Sequence, residues 1–350
     1  MRIVQVVRRF GACGGMEEYA YQLSFELKKL GVDVKVVCEK VSNAQLGSNI
    51  ETIELGESLN KPRWFAHLIF SRKLKRWVKD NPHPCTIIHS HERVDCHHVT
   101  TIHSTLYNFP KRKRLTGLRT MMNERIEKKE MASQSVKKII PVSNLISAQI
   151  KDKYSFLSDR LSDPICPGSA PIKITRNILN PDSPIIGFMG KEWKRKGLPK
   201  VLAIFRDMKL KISKLRLCIA GFPKEEIIGL VDEKEEDIEV IGQVDRKEDF
   251  YSKIDLLLHP AKQEAYGMVI AEALSLGIPV LCSSESGASE IIPDKQNVIS
   301  HEKEVHHWSN RLNLMISDLR NSSSCKTKVK TWNEVAIDYL HQYKMILSDD

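Results

Sequence analysis

Two carboxylates, Glu264 and Glu272, bracket the run Glu264-Ala-Tyr-Gly-Met-Val-Ile-Ala-Glu272. A carboxylate only accepts hydrogen bonds, and its two oxygens can take a pair of neighbouring hydroxyls, so these acids suit a sugar or a ribose. A second group is basic: Lys191, Arg195 and Lys196 in Gly190-Lys-Glu-Trp-Lys-Arg-Lys-Gly197. Fixed cations of this kind stabilise negative charge that develops on a ligand. Lysine supplies that charge without the two-pronged fork of arginine. A third group, Arg9-Phe-Gly-Ala-Cys-Gly-Gly-Met-Glu-Glu18, puts Gly14 and Gly15 where backbone can approach a ligand beside the positive end of a helix. Its spacing is not the Gly-x-Gly-x-x-Gly dinucleotide fingerprint. That counts against a dehydrogenase, although Glu39 sits where a ribose-binding acid would. A fourth group, His83, Cys85, His89, His91, Cys96, His97, His98 and His103, invites a zinc site. Its spacings match no standard ligand set, and neighbours on a strand point to opposite faces, so no metal is expected.

These groups need elements to hold them. An apolar run over 254–258 leads toward Glu264. Val269, Ile270, Ala273 and Leu274 then repeat at helical spacing, Gly277 stops the helix, and 279–282 reads as the next strand. The head of that helix, Gly267, Met268 and Val269 after Tyr266, offers free backbone N–H groups, a seat for a phosphate. A strand over 185–190 delivers the basic loop, and a helix over 198–208 follows it, with further strands at 215–221 and 238–242. In the first half, a strand over 3–7 runs through the glycine turn into a helix over 16–30. Strands at 32–38, 50–55, 86–90, 98–104 and 138–142 follow, with one helix carrying Trp64 to Leu74 and another over 117–131. Such alternation predicts an α/β protein with parallel sheets.

Between 161 and 184 the chain carries Pro164, Pro167, Gly168, Pro171, Pro181 and Pro184, too many breakers for a regular element. The expected organisation is therefore a first domain over 1–165, a linker over 166–183, a second domain over 184–325 and a terminal segment over 326–350. Two doubly wound units imply a cleft between them, with ligands at the carboxyl ends of the strands.

At 350 residues the chain is long enough for two domains, each with a full core. Its 41% hydrophobic and 28% charged residues are those of a soluble globular protein. The opening Met-Arg-Ile-Val-Gln-Val-Val-Arg-Arg is too short and too punctuated for a signal peptide, and no run is long enough to span a bilayer. A cytoplasmic protein is expected. The 8 cysteines are scattered, several within apolar strand patterns, and read as buried free thiols. The formal net charge of +10 suits nucleic acid, anionic membrane or acidic glycolipid, but no nucleic-acid module with interleaved aromatics is present. The densest basic run is Lys111-Arg-Lys-Arg114.

The Glu264/Glu272 block resembles the Glu-x7-Glu signature of the retaining GT-B glycosyltransferases of family 4. The resemblance extends to the basic loop, usually Arg-x4-Lys-Gly, to the paired glycines after the first strand, and to Pro141-Val-Ser143-Asn144, which is similar to the family's strand end before a serine-capped helix. It implies the GT-B fold, with the last helix crossing back onto the first domain. It implies that Glu264 holds hydroxyls of the donor sugar and Glu272 the ribose, with Tyr266, Gly267, Met268 and Val269 completing the donor site. Lys191 stands at the family's arginine position and Lys196 at its lysine position, which leaves open whether Lys191 or Arg195 makes the second pyrophosphate contact. Gly14 and Gly15 would face the diphosphate, and His103 would reach the donor sugar and the transferred group. The family transfers a sugar from a nucleotide-diphosphate donor without a metal or other cofactor and retains the anomeric configuration. No protein nucleophile is evident here, so front-face displacement is implied. The basic loop and the opening Arg8-Arg-Phe-Gly-x-x-Gly-Gly are similar to enzymes of bacterial lipopolysaccharide-core assembly. A UDP-sugar donor is favoured over a GDP-sugar, with a hexose-type sugar and a glycolipid or oligosaccharide acceptor. Lys111–Arg114 would rest against the anionic inner face of the cytoplasmic membrane. The alternatives are a transferase for capsule or exopolysaccharide, and a catalytically inactive GT-B protein that binds a sugar nucleotide.

Overall fold

Short apolar runs fold as parallel strands buried on both faces, and the amphipathic stretches between them fold as covering helices. The computed structural model describes every residue except 12, 43–49, 59–61, 107–116, 175–182, 233–234, 320–325 and 349–350. The basic run Lys111–Arg114 lies outside the described residues. By internal contacts the chain forms two units, Met1–Gly168 with Lys330–Asp350, and Ser169–Val329.

The first unit runs β1 (Arg2–Val6), β2 (Arg9–Phe10), α1 (Gly15–Lys29), β3 (Asp33–Cys38), β4 (Lys40–Val41), β5 (Glu51–Glu54), α2 (Arg63–Asp80), β6 (Thr86–Ser90), β7 (Val99–Ile102), α3 (Leu118–Ala132), β8 (Lys138–Pro141) and α4 (Asn144–Lys153). The second continues with β9 (Ile185–Met189), α5 (Trp193–Lys196), α6 (Leu198–Lys209), β10 (Arg216–Ala220), β11 (Ile238–Gly242), α7 (Glu248–Tyr251), β12 (Leu256–His259), α8 (Met268–Ser275), β13 (Val280–Ser283), β14 (Val298–Ile299) and α9 (Val305–Leu319). The last helix, α10 (Trp332–Ser348), belongs to the first unit and packs along α1.

Six described strands of each unit form a parallel sheet, in the order β5-β3-β1-β6-β7-β8 in one and β11-β10-β9-β12-β13-β14 in the other, while β2 and β4 pair separately. Counted within each six-stranded sheet, both read third-second-first-fourth-fifth-sixth. This is the Rossmann arrangement, so the two doubly wound units expected from the sequence are present. The strand order reverses between β1 and β6 in one unit and between β9 and β12 in the other. Chains leaving those strand ends diverge to opposite sides and open a crevice at that edge.

Sequence explains the packing. Along α6, Leu198, Val201, Leu202, Phe205 and Met208 recur at helical spacing and enter the second core with Phe188, Leu256, Leu258 and Trp308. Trp308 is fully buried, and truncating it to alanine would cost about 3–5 kcal/mol. The serine cap is as expected: the Ser143 hydroxyl accepts from the Ile146 amide at 3.2 Å. The reading of all cysteines as buried thiols needs correction. Cys38, Cys218 and Cys282 are buried in strands, but Cys13, Cys96 and Cys166 are only half-buried, and Cys85, in the turn before β6, is exposed. Turn position overrides the apolar preference of a lone thiol there.

Candidate active site

In the second unit, the basic loop leaves β9 at Gly190 and forms α5, one short turn of helix. Gly197 ends it with φ of 89° and starts α6. A side chain at Gly197 would place its Cβ 2.1 Å from the Pro260 carbonyl oxygen, so only glycine lets this loop lie against the loop after β12. The Lys262 amide donates to the Arg195 carbonyl at 2.9 Å and ties the two loops together. Both therefore emerge at the strand-order reversal.

This docking brings three of the sequence-chosen side chains to one point. Lys196 Nζ lies 3.3 Å from Glu264 Oε2, and Arg195 Nη1 lies 3.4 Å from the same oxygen. Arg195 also bonds Glu192, at 2.6 Å through Nη2, and donates from Nη1 to the Gln263 carbonyl. Burial alone would raise the Glu264 pKa, but the Lys196 and Arg195 cations outweigh it, and the carboxyl is held below its ordinary value. Glu264 is fixed through its backbone as well, its amide donating to the Glu285 carbonyl at 2.9 Å. Lys191 is exposed at the start of the loop.

Beyond Glu264 the chain turns at Gly267 into α8, which has no side-chain cap at its head. The amides of Met268 and Val269 belong to that first turn, where helices leave N–H groups without intrahelical acceptors. Tyr266 and Val269 are buried. Glu272, on the second turn, is buried too, and its oxygens accept from Lys247 at 2.5 Å and from the Tyr251 hydroxyl at 2.7 Å. Sequence reasoning missed these two partners. Tyr251 ends α7, an isolated four-residue turn, and Lys247 immediately precedes it, so their spacing signals nothing until the helix docks. It missed His259 as well. That ring is fully buried at the end of β12, with Nε2 3.9 Å from Glu264 Oε2 and neither nitrogen hydrogen-bonded. Burial, with the Lys196 cation second, depresses its pKa to about 3, so it is neutral.

In the first unit, the glycine loop has a division of labour. Gly11 has φ of 139°, and a Cβ there would sit 2.2 Å from the Ser42 carbonyl oxygen, so the β2–β4 ribbon requires glycine. Gly15 opens α1, and a Cβ there would meet nothing within 4 Å. Gly14 precedes it in extended backbone, without a side-chain cap. The room at Gly15 thus serves no packing need of the fold. His103 follows β7 directly. It is half-buried, its Nε2 lies 2.8 Å from His91 Nδ1, and its ring packs edge-on against Tyr19 at 4.8 Å. Burial lowers its pKa to about 3. The structure thus gathers Arg195, Lys196 and Glu264 in one unit, and sets Gly14, Gly15 and His103 in the other. Among the described residues, no group of three or more His, Cys, Asp or Glu side chains could hold a metal ion.

The family model for glycosyl transferases group 1 matches residues 171–332, and that for glycosyltransferase family 4 matches residues 13–162. The solved structure of WaaG, a glycosyltransferase involved in lipopolysaccharide biosynthesis, superposes with a TM-score of 0.75 at 17% identity, covering 97% of this chain and 95% of that one. The chain belongs to the GT-B glycosyltransferases of the group 1/family 4 superfamily. The family 4 match holds Gly14, Gly15 and His103, and the group 1 match holds the basic loop, Glu264 and Glu272. Among curated relatives, the O-antigen biosynthesis glycosyltransferase WclY of Escherichia coli is 29% identical over 166 residues, 42% of this chain and 46% of WclY. The phosphatidylinositol N-acetylglucosaminyltransferase gpi3 subunit of Schizosaccharomyces pombe is 28% identical over 145 residues, 40% of this chain and 31% of that subunit. The chain thus spans less than half the length of these curated relatives. No described helix of this GT-B protein is long and apolar enough to cross a membrane.

Proposed function

We propose that this chain moves a hexose-type sugar from a nucleoside-diphosphate sugar, a UDP-sugar in the first instance, onto a glycolipid or oligosaccharide acceptor in bacterial surface-polysaccharide assembly, with lipopolysaccharide core as the setting. The observation that carries this reading is the convergence of Arg195 and Lys196 on Glu264 beside the uncapped head of α8. Two cations held against a single carboxylate form a charge reserve. An arriving diphosphate takes the cations, and Glu264 is released to accept sugar hydroxyls. Lys191 is near enough in sequence to join the clamp, and the amides of Met268 and Val269 complete it. Glu272, oriented by Lys247 and Tyr251, receives the ribose. Gly14 and Gly15 bring the head of α1 to the phosphates, and His103 meets the transferred sugar. O-antigen and lipopolysaccharide biosynthesis, named for WclY and WaaG, support the setting.

In the proposed reaction the bond between the anomeric carbon and the phosphate oxygen breaks, and its electrons go to the diphosphate. The acceptor hydroxyl oxygen bonds the anomeric carbon on the same face and passes its proton to the departing phosphate oxygen. Configuration is retained. Lys196 and Arg195 stabilise the charge that appears on the leaving group, and no cofactor beyond the donor takes part.

The test is thermal unfolding of the purified protein with a panel of UDP- and GDP-sugars. A donor present well above its Kd should stabilise the fold by a few kcal/mol. The shift should vanish in Glu264→Gln, and the anomer of the isolated product should match that of the donor. A protein that no nucleotide sugar stabilises overturns the reading, and an inverted product overturns the retaining course.

A further inference from the structure

Behind His103 the first unit holds a row of polar side chains that the proposed chemistry leaves without a task. Gln5, His89, Thr101, Tyr339 and Tyr343 are fully buried, and His91 and Tyr19 nearly so. They are joined end to end. His103 Nε2 lies 2.8 Å from His91 Nδ1, and His91 Nε2 lies 2.8 Å from Gln5 Oε1. Gln5 Nε2 donates to the Tyr343 hydroxyl at 3.2 Å, and that hydroxyl lies 2.7 Å from His89 Nδ1. His89 Nε2 lies 2.7 Å from the Thr101 hydroxyl, which lies 2.7 Å from the Tyr339 hydroxyl. Tyr339 meets the Tyr19 hydroxyl at 2.9 Å, and Tyr19 donates to the Ile165 carbonyl at 3.1 Å.

The far end sets the direction of the whole row. A carbonyl has no proton to give, so Tyr19 gives its single hydroxyl proton to Ile165, and the proton between Tyr19 and Tyr339 belongs to Tyr339. Thr101 must then supply the proton toward Tyr339, and His89 Nε2 the proton toward Thr101. Burial lowers the pKa of His89 and His91 well below the ordinary value, and that of His103 to about 3, so each ring carries one proton. His89 Nδ1 is therefore bare and accepts from Tyr343, which in turn accepts from Gln5 Nε2. Gln5 Oε1 accepts from His91 Nε2–H, which leaves His91 Nδ1 bare to accept from His103.

We propose that this one-way row of hydrogen bonds, running from His103 to the Ile165 carbonyl, locks His103 as its Nε2–H tautomer and presents Nδ1 as a bare acceptor at the end of β7. Among the described residues no hydrogen bond reaches that nitrogen. His103 then accepts a proton-bearing group and gives nothing to an oxygen that lacks one. The consequence for the ligand rests on the nucleotide-sugar reading above: the group facing His103 is a hydroxyl of the transferred sugar, acting as donor. Gln5, His89, His91, Thr101, Tyr339 and Tyr343 are positioning residues that act through His103. Two of them come from α10, which gives that helix a task beyond packing.

The direct test is nitrogen-15 labelling of histidine in the full chain, with long-range proton–nitrogen correlation near neutral pH and His103→Gln to locate the signals. His103 should show a pyrrole-type Nε2 and a pyridine-type Nδ1. Protonation at Nδ1, or an even mixture, overturns the proposal. Tyr343→Phe removes the acceptor of Gln5 and the donor to His89, and should turn His103 into a mixture. An unchanged His103 spectrum in a folded Tyr343→Phe would show that the row does not set the tautomer. The wild-type spectrum decides the tautomer even if that variant fails to fold. For the ligand, donor analogues with one hydroxyl replaced by fluorine keep an acceptor but lose the proton. One such analogue should bind about tenfold more weakly, a difference that His103→Ala removes. If every analogue binds like the parent sugar, the acceptor role is overturned. If no nucleotide sugar binds at all, the functional reading fails while the tautomer still stands or falls on the spectrum.

Discussion

At the end of its first strand and the fourth beside it, the second unit places full charges: Arg195 and Lys196 around Glu264, with Lys247 on Glu272. Near the same points the first unit has ion pairs too, Arg8 with Glu39 and Arg9 with Glu17, but toward its interior it sets neutral groups, His89, His91 and Tyr19, with His103 after the next strand, joined by hydrogen bonds. One topology thus supports two ways of preparing for a ligand. Charges can be held in reserve only where solvent or a counter-ion offsets their desolvation, which is why the cations lie partly exposed on loops. Neutral dipoles tolerate burial, so they can be ordered by a rigid interior and keep that order when a ligand arrives. The charged site should govern rate, and the neutral row should govern stability and orientation.

The largest test of this contrast is Lys196→Ala. Turnover should fall by about two to three orders of magnitude, the loss typical of removing one charge-stabilising donor. Its unfolding free energy should stay close to wild type, because Arg195 remains on Glu264. Steady-state kinetics beside chemical denaturation would check both halves, and near-normal turnover would remove Lys196 from the clamp.

Acid should separate the units next. Among the described residues, burial lowers the pKa of His67, His89, His91, His97 and His103 in the first unit, while it raises Glu92 and Glu130 to about 7. A histidine whose folded pKa lies below its unfolded value contributes stability above about pH 6.5 and loses it as pH falls toward the folded value. The two raised carboxyls act in the opposite sense, so between about pH 6 and 5 the unfolded first unit binds up to about three more protons than the folded one. The second unit has one such histidine among its described residues, His259, and the lowered Glu264 loses its contribution only below about pH 4.5. The first unit should therefore weaken by as much as a few kcal/mol per pH unit in that window, and the second by less. Peptide-resolved amide hydrogen exchange at pH 7 and 5 would show it, and uniform weakening would argue against the division.

A smaller effect is expected from Tyr343→Phe, which strips partners from the buried Gln5 and His89. Stability should drop by about 1–3 kcal/mol, whereas Lys196→Ala should leave it nearly unchanged. The smallest contrast is between two glycines of one loop. Gly15→Ala meets open space and should leave the melting temperature nearly unchanged while weakening donor binding. Gly11→Ala, at φ of 139° and against Ser42, should destabilise by more than about 1 kcal/mol without needing any ligand to show it. Equal melting temperatures would mean that Gly11 is not required by the ribbon.

Much of the scaffold was legible because parallel strands buried on both faces leave largely apolar runs, and β6 falls on the residues that pattern marks. The α7 turn left no such trace. Four residues cannot show a helical period, so Lys247 and Tyr251 became visible only once placed beside Glu272. His259 read as one more residue in an apolar strand until its ring was found against Glu264. The histidine run was conspicuous in the sequence, yet its meaning was not. Residues 89, 91 and 103 suggested a metal by composition, yet His91 and His103 bond each other and His89 bonds Tyr343, more than two hundred positions later.

By itself the sequence determined what depends on local pattern: the alternation of strands and helices, the glycines that turn the loops, and the acids and bases offered at strand ends. Periodicity and backbone sterics act over a few residues, so they can be read a few residues at a time. Only the tertiary structure decided which of those groups meet, that two cations share one carboxylate, and that α10 completes a row of hydrogen bonds that starts at His103. Hydrogen-bond order belongs to the closed set of partners, and that set exists only when distant segments are packed together and water is gone.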